Sequence, residues 1–208
     1  MIISMYSKLK SCVRIENSNL LTAWFDCHMG TRQGCMLSPF LFNMYLNELI
    51  ESINTGNTKG IFISEECPSV CMLGFADDMA NCADIVHQLQ RQINILEEYC
   101  TKYGMTVNVD KTKVLVFRNG GHLRKGEKWF YRGQPIECVS VYKYLGLLLS
   151  NTLKWNRALK QLSLQAQKAL HKIYKVETKC GGIPHGVYFE LFDKMVGPIL
   201  CYGSEIWG

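Results

Sequence analysis

Apolar residues recur at helical spacing in four stretches of the chain, with shorter apolar runs between them. Leu41, Met44, Tyr45, Leu49 and Ile53 fall on one helical face after Ser38-Pro39, a side-chain cap followed by a residue whose φ is already helical. A buried helix is predicted there, fed by a glycine-bracketed loop from Gly30 to Gly34. Ile85, Leu89, Ile93, Leu96, Cys100 and Tyr103 predict a second helix, capped by Asp84 and stopped by Gly104. Trp155, Leu159, Leu162, Ala166, Ala169, Leu170 and Ile173 form a third stripe, and a fourth helix starts near Pro184 with Val187, Leu191, Met195 and Ile199. A short helix is also expected at the very start.

Strand-like segments fill the intervals. Val13–Phe25 reads as extended chain around a turn at Asn17-Ser18-Asn19. Between Cys67 and Ala83 two short apolar runs flank Ala76-Asp77-Asp78, which predicts a β-hairpin with two carboxylates at its turn. Met105–Val109 and Lys113–Phe117 read as a strand pair around Asp110-Lys111-Thr112, followed by short strands at Trp129–Tyr131, Ile136–Val139 and Val141–Leu149. From Asn151 only helical patterns remain, so the class is α+β with a boundary near Ser150, dividing residues 1–150 from 151–208. No internal repeat or low-complexity segment is visible.

Composition narrows the possibilities. Of 208 residues, 48% are hydrophobic and 20% charged, enough to build a core and too apolar for a disordered tail. No apolar run approaches the ~18 residues that span a bilayer, and the start lacks a signal-peptide pattern, so an intracellular, nuclear or cytoplasmic protein without a membrane segment is expected. The ten cysteines never form a C-x-x-C pair, which favours reduced thiols over disulfides or a zinc site. Net charge is only +5, but Arg118–Lys179 carries +10 and the remainder −5. A basic segment beside an acidic one suits a protein that binds a polyanion and divalent cations.

Three features could carry chemistry. Asp77 and Asp78 at a hairpin tip would offer hard oxygen ligands to Mg²⁺, although Asp-Asp is also an ordinary solvated turn. Arg32 and Gln33 present planar donors beside Gly34, where backbone can approach a strand or nucleotide, but the same residues make a plain helix-entry loop. Lys168, Lys172, Lys175 and Lys179 share one helical face that could neutralise phosphates or simply face water.

Taken in order, Gly30–Pro39 (a QG-x-x-x-SP loop and helix), Phe75–Asp78 (F-A-D-D), Gly104–Lys113 (G-M-T-V-N-x-x-K-T-K) and Tyr142–Gly146 (Y-K-Y-L-G) resemble the later motifs of reverse transcriptases. The likeness is to the non-LTR (LINE-type) retrotransposon branch, and Pro198–Trp207 resembles that branch beyond the polymerase core. The resemblance implies a partial right-hand polymerase palm, an antiparallel sheet with packed helices, followed by a helical thumb-like segment. It implies Asp77 and Asp78 as metal-holding catalytic carboxylates and Lys111 as a lysine near the leaving phosphates, for which an exposed turn lysine is an equal reading. Arg32, Gln33 and Gly34 would position template and incoming nucleotide, and Tyr144, Leu145 and Gly146 would form the primer grip. The implied cofactor is Mg²⁺, and the implied partners are an RNA template and a DNA primer.

The same resemblance places a metal-bridging aspartate and the fingers well before the QG loop, whereas 29 residues precede Gly30 and their one aspartate, Asp26, sits too near the loop to serve. Asp26 is therefore expected on the surface. A truncated reverse transcriptase, missing an N-terminal polymerase segment and inactive alone, is the resulting expectation. The alternative is a non-enzymatic nucleic-acid-binding α+β module.

Overall fold

The computed structural model describes residues 6–15, 20–27, 30–32, 34–66, 69–118, 121 and 123–207. Gln33 and the turn at Asn17-Ser18-Asn19 lie outside the described residues, as does most of the short helix expected at the start. The extended arms around that turn are present: β1 (Lys10–Ser11) pairs antiparallel with β2 (Phe25–Asp26), and Arg14 bridges Leu21.

Helix α1 (Ser38–Thr55) buries Ser38, Leu46, Leu49 and Ile53. Ser38 is not its cap. Leu37 holds that position without a side-chain bond, because the Ser38 hydroxyl donates instead to the Arg32 carbonyl at 2.7 Å. The buried stripe is also displaced from the expected one, leaving Met44 57% exposed. Strands β3 (Met72–Phe75) and β4 (Asp78–Asn81) form the predicted hairpin, with Phe75 opposite Asp78.

Helix α2 (Val86–Lys102) begins after Ile85, and no side chain caps it, so Asp84 does not act as expected. Its end matches expectation: Gly104 has φ 66°, Tyr103 N–H donates to the Tyr99 carbonyl, and Met105 N–H reaches back to the Cys100 carbonyl at 2.8 Å. This is a Schellman closure, in which a left-handed residue lets the chain satisfy the last carbonyls. Leu46, Leu49 and Ile53 of α1 meet Leu96, Tyr99 and Cys100 of α2 over Cys71, with Met72 and Met79 of the hairpin packed against them. Gln92, buried on α2, donates to the Cys82 carbonyl just past β4 at 2.9 Å, tying the hairpin base to the helix.

Met105–Val109 is not a strand. Asn108 captures the chain there, its carbonyl accepting from Thr112 N–H at 3.0 Å and its side chain from Lys111 N–H at 3.1 Å, so the segment turns instead of pairing. Strand β5 (Lys113–Leu115) runs parallel to β7 (Gln134–Val139), which pairs on its other side with antiparallel β6 (Trp129–Tyr131). Ile93, Val114, Trp129, Tyr131 and Ile136 form the core beneath this sheet. The run expected as one strand over Val141–Leu149 is a hairpin, β8 (Val141–Tyr144) and β9 (Leu147–Ser150). It reverses at Leu145 (φ 45°) and Gly146 (φ 90°), the two positive φ values that a type I′ turn requires.

The helical remainder is α3 (Asn156–Cys180), α4 (His185–Met195), α5 (Gly197–Leu200) and α6 (Ser204–Trp207). Ala166, Ala169 and Ile173 of α3 bury against Val196, with Tyr188, Leu191 and Phe192 of α4 closing the cluster. The fold is thus mixed α and β, its strands divided among four small sheets rather than one. Every described cysteine is free, and no described helix is long and apolar enough to cross a membrane.

Candidate active site

The hairpin tip is a two-residue turn, Ala76-Asp77, between the paired Phe75 and Asp78. Ala76 has φ 53°, a left-handed conformation that glycine adopts without cost and alanine does not. Paired residues share a sheet face, so Asp78 lies with Phe75, Leu73 and Ala80, while Met72 and Met79 face the helices. Asp78 therefore stands on the side of the hairpin that turns away from the core, with Asp77 beside it in the turn. Asp77 and Asp78 are both exposed.

Strand β8 brings two other motifs to this region. Tyr142 and Tyr144, two residues apart, point to the same side of the strand. The Tyr142 hydroxyl donates to the Lys111 carbonyl at 3.1 Å. Burial raises the Tyr144 phenol above its usual pKa, and the Asp78 carboxylate and Cys82 push it further. One face of β8 thus carries both the Tyr142 bond to the Asn108–Lys111 turn and the phenol of Tyr144. The Lys111 side chain itself is exposed.

The turn of the same hairpin is held from the far end of the chain. The Tyr202 hydroxyl donates to the Leu145 carbonyl, and its ring lies 3.2 Å from where a Cβ on Gly146 would stand. Tyr142, Asn108 and Tyr202 are absent from the expected site residues. The N-x-x-K spacing signals Asn108, and Tyr142 and Tyr202 stand in the quoted segments Tyr142–Gly146 and Pro198–Trp207, though nothing in them signals that these side chains brace the β8–β9 region.

The loop before α1 is ordered separately. The Arg32 carbonyl accepts from Ser38 Oγ and Cys35 N–H, the Ser38 hydroxyl also meets that of Tyr6 at 3.2 Å, and Gly34 has φ 76°. Among the described residues no hydrogen bond or ion pair joins Arg32 or Gly34 to the Asp77–Asp78 tip. Asp26 sits on the surface, 3.7 Å from Lys10. Lys168, Lys172, Lys175 and Lys179 are exposed along α3 and make no ion pair among the described residues.

A family model described as reverse transcriptase (RNA-dependent DNA polymerase) matches residues 2–149, well over half of the chain. The chain belongs to the reverse transcriptase family. Its similarity extends to an RNA-directed DNA polymerase from mobile element jockey of Drosophila funebris, 22% identical over 86% of this chain and 19% of that protein. A Pol polyprotein from type-1 retrotransposable element R2 of Popillia japonica is 29% identical over 59% of this chain and 21% of its own length. The R1 counterpart of Nasonia vitripennis is 21% identical over 86% of this chain and 43% of its own. This reverse transcriptase domain is therefore of the non-LTR, LINE-type branch, and it spans about a fifth of the first two relatives and under half of the third.

As a family, reverse transcriptases use divalent metal ions. Asp77 and Asp78 fit that role in part. They supply adjacent hard oxygen donors in an open turn, where water and substrate phosphate can complete an octahedron. Among the described residues no third His, Cys, Asp or Glu joins them.

Proposed function

We propose that this reverse transcriptase domain carries the metal-carboxylate hairpin and the primer-side hairpin of an RNA-directed DNA polymerase, with residues 1–150 as part of the palm and 151–208 as part of the thumb. The observation that supports this most is the F-A-D-D hairpin, which holds two exposed carboxylates at an open two-residue turn while its inner face packs on α1 and α2. In this reading Asp77 and Asp78 hold Mg²⁺, which when bound neutralises the transferring phosphate and activates the primer hydroxyl. Lys111 lies near the leaving phosphates. Tyr144, Leu145 and Gly146 fix the primer end, and Arg32, Gln33 and Gly34 position the template and incoming nucleotide. The lysines of α3 neutralise the backbone of the RNA template and DNA primer.

Two-metal transfer needs a carboxylate that bridges both ions. Among the described residues no third carboxylate joins Asp77 and Asp78, and the expectation is weak binding of a divalent ion and no primer extension. The test is titration with Mn²⁺, followed by its electron paramagnetic resonance, beside nucleotide incorporation on a primed RNA template. Weak Mn²⁺ binding that disappears in Asp77→Asn/Asp78→Asn, without incorporation, is the expected result. Binding that persists in the double variant overturns the metal assignment. Incorporation that depends on Asp77 upholds that assignment and overturns the inactivity.

A further inference from the structure

Helix α3 has two sides of different charge. Lys168, Lys172, Lys175 and Lys179 lie about 100–160° around its axis from Tyr174, at 3.6 residues per turn. On the Tyr174 side the charge is negative. Glu177 follows Tyr174 by one turn, and on α4 Asp193 follows Phe189 by one turn. A chain of rings joins the two helices: Tyr174 meets Tyr188 of α4 with centroids 6.3 Å apart, and Tyr188 meets Phe189 edge-on at 6.1 Å. The Tyr188 phenol is raised above its ordinary pKa, first by its hydrogen bond with Tyr174 and then by burial, the Tyr174 phenol and the Glu177 carboxylate, which puts Glu177 near these rings. Tyr188 is anchored in the α3–α4 core, but Tyr174 is 48% and Phe189 64% exposed. Among the described residues neither Glu177 nor Asp193 has an ion-pair partner, while Lys194, the one lysine of α4, is taken by Glu190.

Core packing explains Tyr188 and leaves the two outer rings and the two carboxylates unexplained. Charge complementarity selects what fits them. A nucleic-acid strand laid on this side would bring phosphates to carboxylates, whereas the faces of Tyr and Phe rings attract cations and a nearby carboxylate adds to that attraction. Arginine suits both at once, because its guanidinium stacks flat on a ring while its edge donates to carboxylate oxygens. Exposed aromatic residues without lysine are also the composition of protein–protein contacts. We propose that the Tyr174–Phe189 side of the α3–α4 hairpin is a docking surface for an arginine-bearing basic segment of a protein partner, the rings holding guanidinium groups that Glu177 and Asp193 neutralise. The lysine row lies clear of this surface, so the inference stands independently of the nucleic-acid reading above.

The test measures, on the full chain, the anisotropy of labelled alternating Gly-Arg and Gly-Lys peptides of equal length, beside labelled oligo(U). The arginine peptide should bind at least about threefold more tightly than the lysine peptide, since only the guanidinium both stacks and forks. Phe189→Leu, which keeps apolar bulk and removes the ring, should weaken arginine-peptide binding about two- to fivefold, as loss of one exposed cation–π contact does. Phe189→Tyr, which keeps a ring, should bind like the parent. Glu177→Gln/Asp193→Asn should weaken the arginine peptide at least about threefold and make its affinity less sensitive to salt. None of these variants should weaken oligo(U). Circular dichroism and the melting midpoint confirm that the variants fold, and Asp193→Asn alone, at an exposed position, serves where the double variant does not. Equal affinity for the two peptides, or arginine-peptide binding unchanged in folded Phe189→Leu or in the folded carboxylate variant, overturns the proposal. Loss of oligo(U) binding instead of peptide binding in Phe189→Leu overturns it in favour of a nucleic-acid contact.

Discussion

Gly146→Ala tests whether the C-terminal segment fixes the β8–β9 turn. Two separate costs arise. Gly146 has φ 90°, and a left-handed backbone costs an L-residue ~1–2 kcal/mol. The new Cβ would also stand 3.2 Å from Cε1 and Oη of Tyr202, so the ring must retreat and strain its hydrogen bond to the Leu145 carbonyl, worth ~0.5–1.5 kcal/mol net. Reduced freedom of the unfolded chain returns ~0.4–1 kcal/mol, leaving a loss of about 0.5–3 kcal/mol. Repeating the substitution in a Tyr202→Ala background removes the second cost and keeps the first. Urea denaturation of the four proteins of this cycle should therefore show Gly146→Ala costing about 1 kcal/mol less without Tyr202. Costs equal within about 0.5 kcal/mol in both backgrounds would refute the idea that Tyr202 holds the turn.

Other consequences are equally direct. Tyr99, buried against Tyr45 and Tyr103 with its hydroxyl donating to the Tyr45 carbonyl, is pushed up to about 12, first by burial and then by neighbouring phenols. A phenol that holds its proton more firmly when folded gives stability that is full below pH ~10 and lost as pH rises through about 12. Tyr99→Phe should cost ~1 kcal/mol at neutral pH yet make the alkaline fall shallower, and an unchanged slope in urea titrations at pH 8–11 would count against this. Ala76→Gly removes the left-handed penalty of the F-A-D-D turn and should stabilise by up to ~1 kcal/mol, while Ala76→Val should destabilise; the same sign for both would discard the strained-turn account. Asp77→Asn/Asp78→Asn, besides losing Mn²⁺, should leave the metal-free chain slightly more stable in urea because it removes like charges from adjacent positions, and a clear loss of stability would mean that the carboxylates serve the fold.

Local pattern carried some of this structure and not the rest. The F-A-D-D hairpin was legible because two short runs can only meet around the aspartates, and α2 because its stripe ends on a glycine that accepts φ 66°. Ser38 misled because its hydroxyl had a tertiary partner, the Arg32 carbonyl, that outcompeted capping. Met105–Val109 alternates like a strand, yet Asn108 offers the following N–H groups a closer acceptor than any strand could. The parallel pairing of Lys113–Leu115 with Glu137–Val139 joins residues 24 apart in the chain, beyond the reach of local periodicity. Leucine at positive φ is uncommon, so Leu145 gave no warning that the apolar run from Val141 folds back on itself.

The candidate site looks costly in terms of folding alone. Register puts Asp78 on the hairpin face that also bears Leu73 and Phe75, 52% and 65% exposed, while the opposite face packs on α1 and α2. Two strands alone are marginal in water, so the hairpin depends on Met72, Met79 and the Gln92 bond to Cys82 on its inner side. Its outer side gains nothing from an exposed leucine and phenylalanine, from a left-handed alanine or from adjacent negative charges. Each of these would be removed by selection for stability alone, and together they describe a surface arranged for something that neutralises carboxylates and covers apolar side chains. The divalent ion and nucleic-acid strand proposed for this site would do both. A solvated Asp-Asp turn, the plain reading of the same dipeptide, would need neither the strained Ala76 nor the apolar face beside it.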